Sequence, residues 1–551
     1  TLPRMPPSDR RPSRDSDPTK PAKPDRPAKP TGAKPGSTSG ARPGNRPGTA
    51  PGGKPARKGI PRSQKTNAQR RGNGPAQPAH AERSGPTGTG DPGRDTVVLF
   101  LNHQVRRYPL LDLKPLRLPP EVMQRDASLA HAIADAAVAR LLTLRCLIQS
   151  RLDQGFDGLE APLRATLLCG AAQLILLDRV PAYAAIDHCV QWAKVNIRRG
   201  AGNLTNAVLR KIAALVDHAT PRRPAWTNRR DELPMADGTA LVLRDTVLPE
   251  DEVERLGVAT SHTRALIKAW VERLGVPGAM ALAARSLVEP PVTLNVAHVD
   301  ADAIAAFGED FRPHPEQGCR LFVGTRESLT DLLGVSPAVW VQDAGSQRPV
   351  RTLAEMGLKP SVIVDACAGQ GTKTRQLTMT FPDAKVITTD ADDRRRLILR
   401  DVFRDARRVH VVAFDGLEEA VASGPARGKS RGGADLVLLD VPCSNTGVLA
   451  RRPEAKYRFG DISMKELIDL QQRIIRRGAE LLSADRNAVL AYSTCSIEPA
   501  ENQDQARWAC AELGLELVAE HAHMPSAAGQ AYSDGSYLAV LRRKRSAASV
   551  S

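Results

Sequence analysis

From residue 346 onward, apolar runs of strand length alternate with segments of helical period. That alternation restricts the chain to few folds. "SVIVDACAG", "AKVITTDAD", "VHVVAFDG", "ADLVLLDVPCS" and "NAVLAYSTCS" each read as a buried strand running into a turn. "TKTRQLTMTF", "DRRRLILRDVFRDA" and "SMKELIDLQQRIIRRGAELL" read as helices between them. Repeated βα units build a parallel sheet with helices on both faces. Such sheets bind ligands at the carboxyl ends of their strands, so the residues at those ends are the first functional candidates.

The rest of the chain divides by pattern. Residues 94–217 place apolar residues at i, i+3, i+4, i+7 spacing in "SLAHAIADAAVARLLTLRCLIQSRL" and in "NLTNAVLRKIAALV", as an all-α domain does. Residues 217–237 are polar and Pro-containing and read as a linker. Residues 238–345 begin helical; then "PPVTLNVAHVDADAIAAFGEDF" reads as strand, turn and helix and "GCRLFVGT" as a strand, a small α+β module. Residues 346–546 hold the βα repeats. Residues 1–93 are rich in Pro, Gly, Ser, Lys and Arg and cannot bury enough apolar area to offset their ordering entropy; a disordered tail is expected.

Charge follows the same division. The chain carries a formal +17, and residues 1–95 hold 20 Lys/Arg against 7 Asp/Glu, a net of +13 that leaves +4 for everything else. A basic tail suits a polyanion through salt-sensitive phosphate contacts, and it equally suits solubility. No apolar run reaches the roughly 18 residues of a membrane span, and the start has no signal-peptide core. The 8 cysteines are scattered without a CxxC pair. That disfavours structural zinc and any metal role, and it reads as a cytoplasmic chain with reduced thiols. Nothing demands more than a monomer.

The first strand of the repeat ends in "DACAGQGTKT", where small residues let the backbone approach a ligand and the next helix offers free N–H groups. The second strand ends in Asp390, placed to take ribose hydroxyls, and the third in Asp415, placed to read an adenine amine. A nucleoside cofactor and a purely structural turn both fit these features. The fourth strand ends in "LLDVPCSNTG", with Asp440 and Cys443, and the fifth in "AYSTCSIEPAEN", with Cys495. One buried cysteine is usually an inert small hydrophobe. Two at the ends of neighbouring strands make a pair. Carbon 5 of cytosine is a weak nucleophile; a thiolate adding to C6 pushes electron density onto C5, which can then accept a methyl group. A carboxyl such as Asp440 assists by hydrogen bonding the N3/N4 edge.

With "PCSNTG", "STCSIEPAEN" and "DACAGQGTKT", the chain resembles the Nol1/Nop2/Sun family of RNA cytosine-5 methyltransferases. "GAAQLILLDRVPAYAAID" and "NLTNAVLRKI" resemble a NusB-type RNA-binding domain. The pairing is similar to bacterial enzymes that modify 16S small-subunit rRNA, and it covers about 125–546. The resemblance implies a Rossmann-like class I methyltransferase domain using S-adenosyl-L-methionine. It implies Cys495 as nucleophile and Cys443 as the thiol that assists release, with Asp440 between cofactor and base and Lys373 beside the nucleophile. The cofactor would be lined by Cys367, Ala368, Gly369, Gln370, Gly371, Thr372, Lys373, Asp390, Asp415 and Asp440. "VQDAGSQ" resembles the opening segment of the methyltransferase domain, and "RRPEAKYRF" a basic loop in which Arg451, Arg452 and Lys456 touch RNA phosphates or simply meet solvent.

The chain departs from the family in three places. Its turn reads "CAGQGTKT" where "CAAPGGKT" is usual, which puts Gln370 for Pro and Thr372 for Gly and bears on cofactor affinity. "TLNVA", Thr293–Ala297, lacks an expected RNA-contacting Arg. The first NusB-type helix is a poor match in "DTVVLFLNHQVRRYPLLDL". The competing readings are a non-catalytic RNA-binding scaffold and a DNA cytosine-5 methyltransferase. Intact Cys443, Cys495, Asp440 and Lys373 argue against the first, and the two-cysteine arrangement with a NusB-type domain against the second.

Overall fold

The computed structural model describes residues 88–544, except 113, 218, 301, 303, 305–307, 424–431 and 528–529. The expected tail lies almost wholly outside the described residues.

The βα repeats form one seven-stranded sheet: β1 (Val362–Asp365), β2 (Lys385–Thr388), β3 (Val409–Val411), β4 (Leu436–Asp440), β5 (Val489–Thr494), β6 (Leu515–His523) and β7 (Ser536–Arg543). The order is β6-β7-β5-β4-β1-β2-β3. The five expected strands run parallel, while β7 inserts antiparallel between β5 and β6. Alternate residues serve opposite faces. Val362, Val364, Val437, Leu439 and Leu490 pack on one side with Ile475 and Ala506. Ile363, Leu436, Leu438, Val489 and Ala491 pack on the other with Val350, Leu377 and Leu399. Both faces are therefore apolar, which explains the unbroken hydrophobic runs.

The helical region contains Pro92–Arg107, Gln124–Ala139, Leu141–Gln149, Ala161–Leu176, Ala182–Asn196 and Arg199–Ala213. Helix Ala161–Leu176 is buried on nearly every side from Leu163 to Ile175, as a central core helix must be. The helix that matched poorly in sequence does form. Asp91 caps it by accepting from the Arg94 N–H, and Val97, Val98, Leu101 and Val105 face the core.

Two expected boundaries are corrected. The supposed linker contains Glu232–Pro234, which pairs antiparallel with Ala240–Val242 across the predicted break at 238. Helices Glu252–Thr260 and Arg264–Arg285 bury Leu256, Leu266, Ile267 and Trp270 in the helical region's core, not in the α+β module. That module keeps four short antiparallel strands, in the order Phe311–Pro313, Cys319–Phe322, Val292–Asn295 and Trp340–Val341, with helix Arg326–Val335 packed on them through Leu329 and Leu332. Its small core includes Leu294, Val296, Phe322 and Val339. The helix expected near 300–307 falls largely outside the described residues. Among the described residues no single helix is long and apolar enough to cross a membrane.

Candidate active site

Strand register assembles the site. Asp440, the last residue of β4, pairs with Ser493 of β5, so the turns beyond them leave the sheet side by side. Cys443 and Cys495 sit in these turns with their Sγ atoms 3.4 Å apart. The turns are also tied by backbone: Val441 N–H donates to Ser493 O, and Gly447 N–H to Cys495 O, both at 3.0 Å. Gly447 is required there, since an added Cβ would lie 2.5 Å from the Cys495 carbonyl oxygen.

One buried carboxylate holds both cysteine turns. Glu501 accepts from Ser444 N–H at 2.8 Å and from the Ser444 hydroxyl, and from Ser496 Oγ at 2.6 Å and Gln471 Nε2 at 3.0 Å. Ser444 and Ser496 each follow a cysteine. Asn502 adds a second clamp, accepting from Thr494 Oγ1 at 2.6 Å and donating to Ser496 O at 2.9 Å. From outside, Trp270 Nε1 and Arg273 reach Glu498 at 3.0 and 3.1 Å, and Arg273 also reaches Ile497 O. Sequence reasoning assigned no role to Glu501, Asn502, Trp270 or Arg273. "EPAEN" lay in a quoted motif, but a helix residue more than 220 positions away leaves no local signal.

Beside the thiols, Lys373 Nζ donates to Asp440 Oδ2 at 2.7 Å and lies 3.4 Å from Ser346 Oγ. Burial pushes the Lys373 ammonium down; Asp440 first, then Cys495 and Asp365, outweigh it and hold the pKa above the usual 10.5. The Cys443 thiol is pushed well up by its hydrogen bond with Cys495, by burial and by the Cys495 charge. Burial likewise raises the Cys367 thiol.

The turn after β1 spans Cys367–Lys373 and contains two left-handed glycines, Gly369 at φ 59° and Gly371 at φ 88°. Gly371 is packed so that a Cβ would meet the Phe403 ring at 2.7 Å, whereas above Gly369 nothing lies within 4 Å. Thr372 begins helix Thr372–Thr380. It does not occupy a left-handed position, so the glycine-demanding angles remain on glycines. Asp390 accepts from Gly369 N–H at 2.9 Å, which brings the second strand's acid to the turn. Asp365 is fully buried; burial pushes its carboxyl up to about 7 against the hydrogen bond from Thr374, and its Oδ1 has no partner. Asp415 lies in the exposed single turn Phe414–Gly416 beyond β3.

Two of the three expected RNA contacts are corrected. Arg451 lies between two buried acids, 2.7 Å from Asp534 and 3.1 Å from Asp343, with its guanidinium over the Tyr532 ring. Lys456 is fully buried, and its Nζ points at Ala139 O, 3.4 Å away. Burial, then the nearby Arg140 charge, pushes it down to about 7. Its neighbour Tyr457 bonds Val138 O and Ser261. Lys456 and Tyr457 therefore dock the sheet domain on the helical region. Arg452 alone stays exposed.

A sheet of this order, with a glycine turn after its first strand and acids at the following strand ends, defines a Rossmann-like methyltransferase domain. Residues 356–541 match the family described as 16S rRNA methyltransferase RsmB/F, and residues 103–214 match the NusB family. The chain thus carries a methyltransferase domain of the RsmB/F family behind a NusB-family domain. Proteins named ribosomal RNA small subunit methyltransferase B from Salmonella agona and Salmonella enteritidis are each 28% identical over 410 residues, covering 71% of this chain and 84% of theirs. The crystal structure of PH0851 shares the fold, with a TM-score of 0.59 at 18% identity over 82% of this chain and 99% of that one.

Proposed function

We propose that the protein transfers a methyl group from S-adenosyl-L-methionine to C5 of a cytosine in small-subunit (16S) rRNA. The observation that carries this reading is the 3.4 Å approach of Cys443 and Cys495 next to the Lys373–Asp440 pair. The Cys367–Lys373 turn fits the nucleoside donor: Gly369 opens onto free space, Asp390 braces it, and Asp415 lies beyond the neighbouring strand. When bound, the donor supplies an electrophilic methyl group.

The chain's own residues do the rest. The Cys495 sulfur adds to C6, and the C5–C6 electron pair shifts toward C5. Asp440 faces the N3/N4 edge, and the Lys373 ammonium offsets negative charge beside it. After C5 is methylated, the C5 proton passes to water, its bonding pair re-forms the C5–C6 double bond, and the S–C6 pair returns to sulfur. Cys443 assists this release as a proton donor. Residues 94–217, extended by 232–285, and the module around 292–341 present the RNA, with the exposed Arg452 free to meet a phosphate.

The test uses labelled S-adenosylmethionine and unmodified small-subunit rRNA. Wild type is expected to methylate, Cys495→Ala to be inactive, and Cys443→Ala to accumulate an RNA–protein adduct. If Cys443→Ala is inactive without adduct while Cys495→Ala still methylates, the roles are reversed. If wild type transfers nothing, the protein is a scaffold.

A further inference from the structure

Asn445 lies in the Cys443 turn with a left-handed backbone, φ 62°, and its side chain reaches both cysteines. Its side-chain Nδ2 donates to Cys443 O at 2.8 Å. A carbonyl oxygen only accepts, so that contact fixes which end of the carboxamide is nitrogen. The other end, Oδ1, faces the Cys495 Sγ at 3.4 Å. An amide oxygen only accepts too, so Cys495 must be the donor. With its own proton turned to Asn445, the Cys495 sulfur can take part in the 3.4 Å thiol–thiol contact only as acceptor, with Cys443 as donor. The direction of the chain is therefore set: Cys443 S–H to Cys495 Sγ, and Cys495 S–H to Asn445 Oδ1.

We infer that Asn445 is a positioning residue that orders the protons of the thiol pair, keeping the attacking cysteine protonated at rest and turning the second thiol toward it as donor. A hydrogen bond accepted from the neutral thiol favours that form over the thiolate. Asn445 thus opposes the Lys373 ammonium, which favours the thiolate. Ionisation of Cys495 releases its proton to water and leaves the Cys443 S–H facing the new thiolate. The same S–H faces the sulfur when the bond to C6 breaks. The inference deepens the proposed reaction and rests on Cys495 being the attacking thiol.

The test is the pH dependence of iodoacetamide alkylation of Cys495 in the whole 551-residue chain, read by peptide mass spectrometry. It needs neither RNA nor methyl donor, so its failure is distinct from failure of the methylation assay. Asn445→Gly suits the backbone angle and removes the acceptor. Cys495 is then expected to alkylate at lower pH, about threefold to tenfold faster at pH 7. Asn445→Asp keeps the shape and places a carboxylate by the sulfur, so alkylation should slow and its midpoint rise. Melting curves confirm that each variant is folded, and either variant alone decides the matter. An unchanged midpoint in Asn445→Gly, or an Asn445→Asp as reactive as wild type, overturns the inference.

Discussion

Lys373 and Asp440 meet at 2.7 Å although 67 positions separate them, because β1 and β4 are neighbours in the sheet. The lysine leaves the turn after β1 and the aspartate ends β4. Lys373→Met keeps the stem and removes the charge. Methyl transfer to rRNA is expected to fall by about 10²-fold, with far-UV circular dichroism unchanged. Single-turnover rates check it.

Glu501 is fully buried and ties Ser444 to Ser496. Glu501→Ala would leave several buried donors unpaired and cost on the order of 3 kcal/mol, read by urea denaturation. It should also slow diamide-induced disulfide formation between Cys443 and Cys495, since the turns lose their common anchor. Glu501→Gln should lie between the two.

Arg451 offsets two acids that are each about 6% exposed, Asp343 and Asp534. Burial, then Asp343, pushes the Asp534 carboxyl up to about 6 even with the arginine present. Arg451→Ala is expected to cost about 2–3 kcal/mol at pH 7.5, below the 3–5 kcal/mol of a fully buried pair because the arginine side chain is 28% exposed. Dropping the pH to 5.5 should shrink the loss, because protonating Asp534 relieves the repulsion.

Lys456 has a folded pKa depressed from 10.5 to about 7. Between those values the unfolded chain binds a proton that the folded one does not, so stability rises with pH across that window. Below pH 7 the folded state carries the full cost of a buried charge. Lys456→Met should therefore be more stable than wild type by a few kcal/mol at pH 6, on the order of 3, and the two should converge toward pH 10. Chemical denaturation at several pH values checks this. The salt slope of RNA binding should not change in Lys456→Met.

Gly371 combines φ 88° with a 2.7 Å approach of Phe403 to any added Cβ. Gly371→Ala should weaken S-adenosylmethionine binding by about tenfold or more through displacement of the turn. Thr372→Gly, which restores the residue usual in the family, should leave affinity nearly unchanged because Thr372 already lies in the helix. Calorimetric titration separates the two.

Much of the sheet domain was legible from local pattern. β1, β2, β4 and β5 are buried on both faces, so each appears as an apolar run; β3, at the sheet edge, exposes His410 between its valines. The chemistry-bearing residues follow these strands directly. Cys443, Cys495, Asp440, Asp390 and the Cys367–Lys373 turn could therefore be placed at one edge without coordinates. β6 and β7 were not legible as a pair. β6 exposes most of its residues, and nothing local says that β7 inserts antiparallel beside β5. The helix Pro92–Arg107 was obscured because its apolar stripe is interrupted by Asn102, His103 and Gln104, of which Gln104 is buried and bonded to Asp112.

Which residues end the strands and which thiols could act were readable along the chain, because hydrophobic period and turn chemistry are properties of a few adjacent residues. The partners came from long-range packing. It set the β4–β5 register that brings two sulfurs to 3.4 Å, the single carboxylate that anchors both turns, and the amide that orients them. It also decided that Lys456 is buried and Arg451 clamped while Arg452 stays in water. A charged residue reads the same in sequence whether it faces solvent or a distant helix end. Burial is settled by what packs over it, and here that is chain more than 300 positions away.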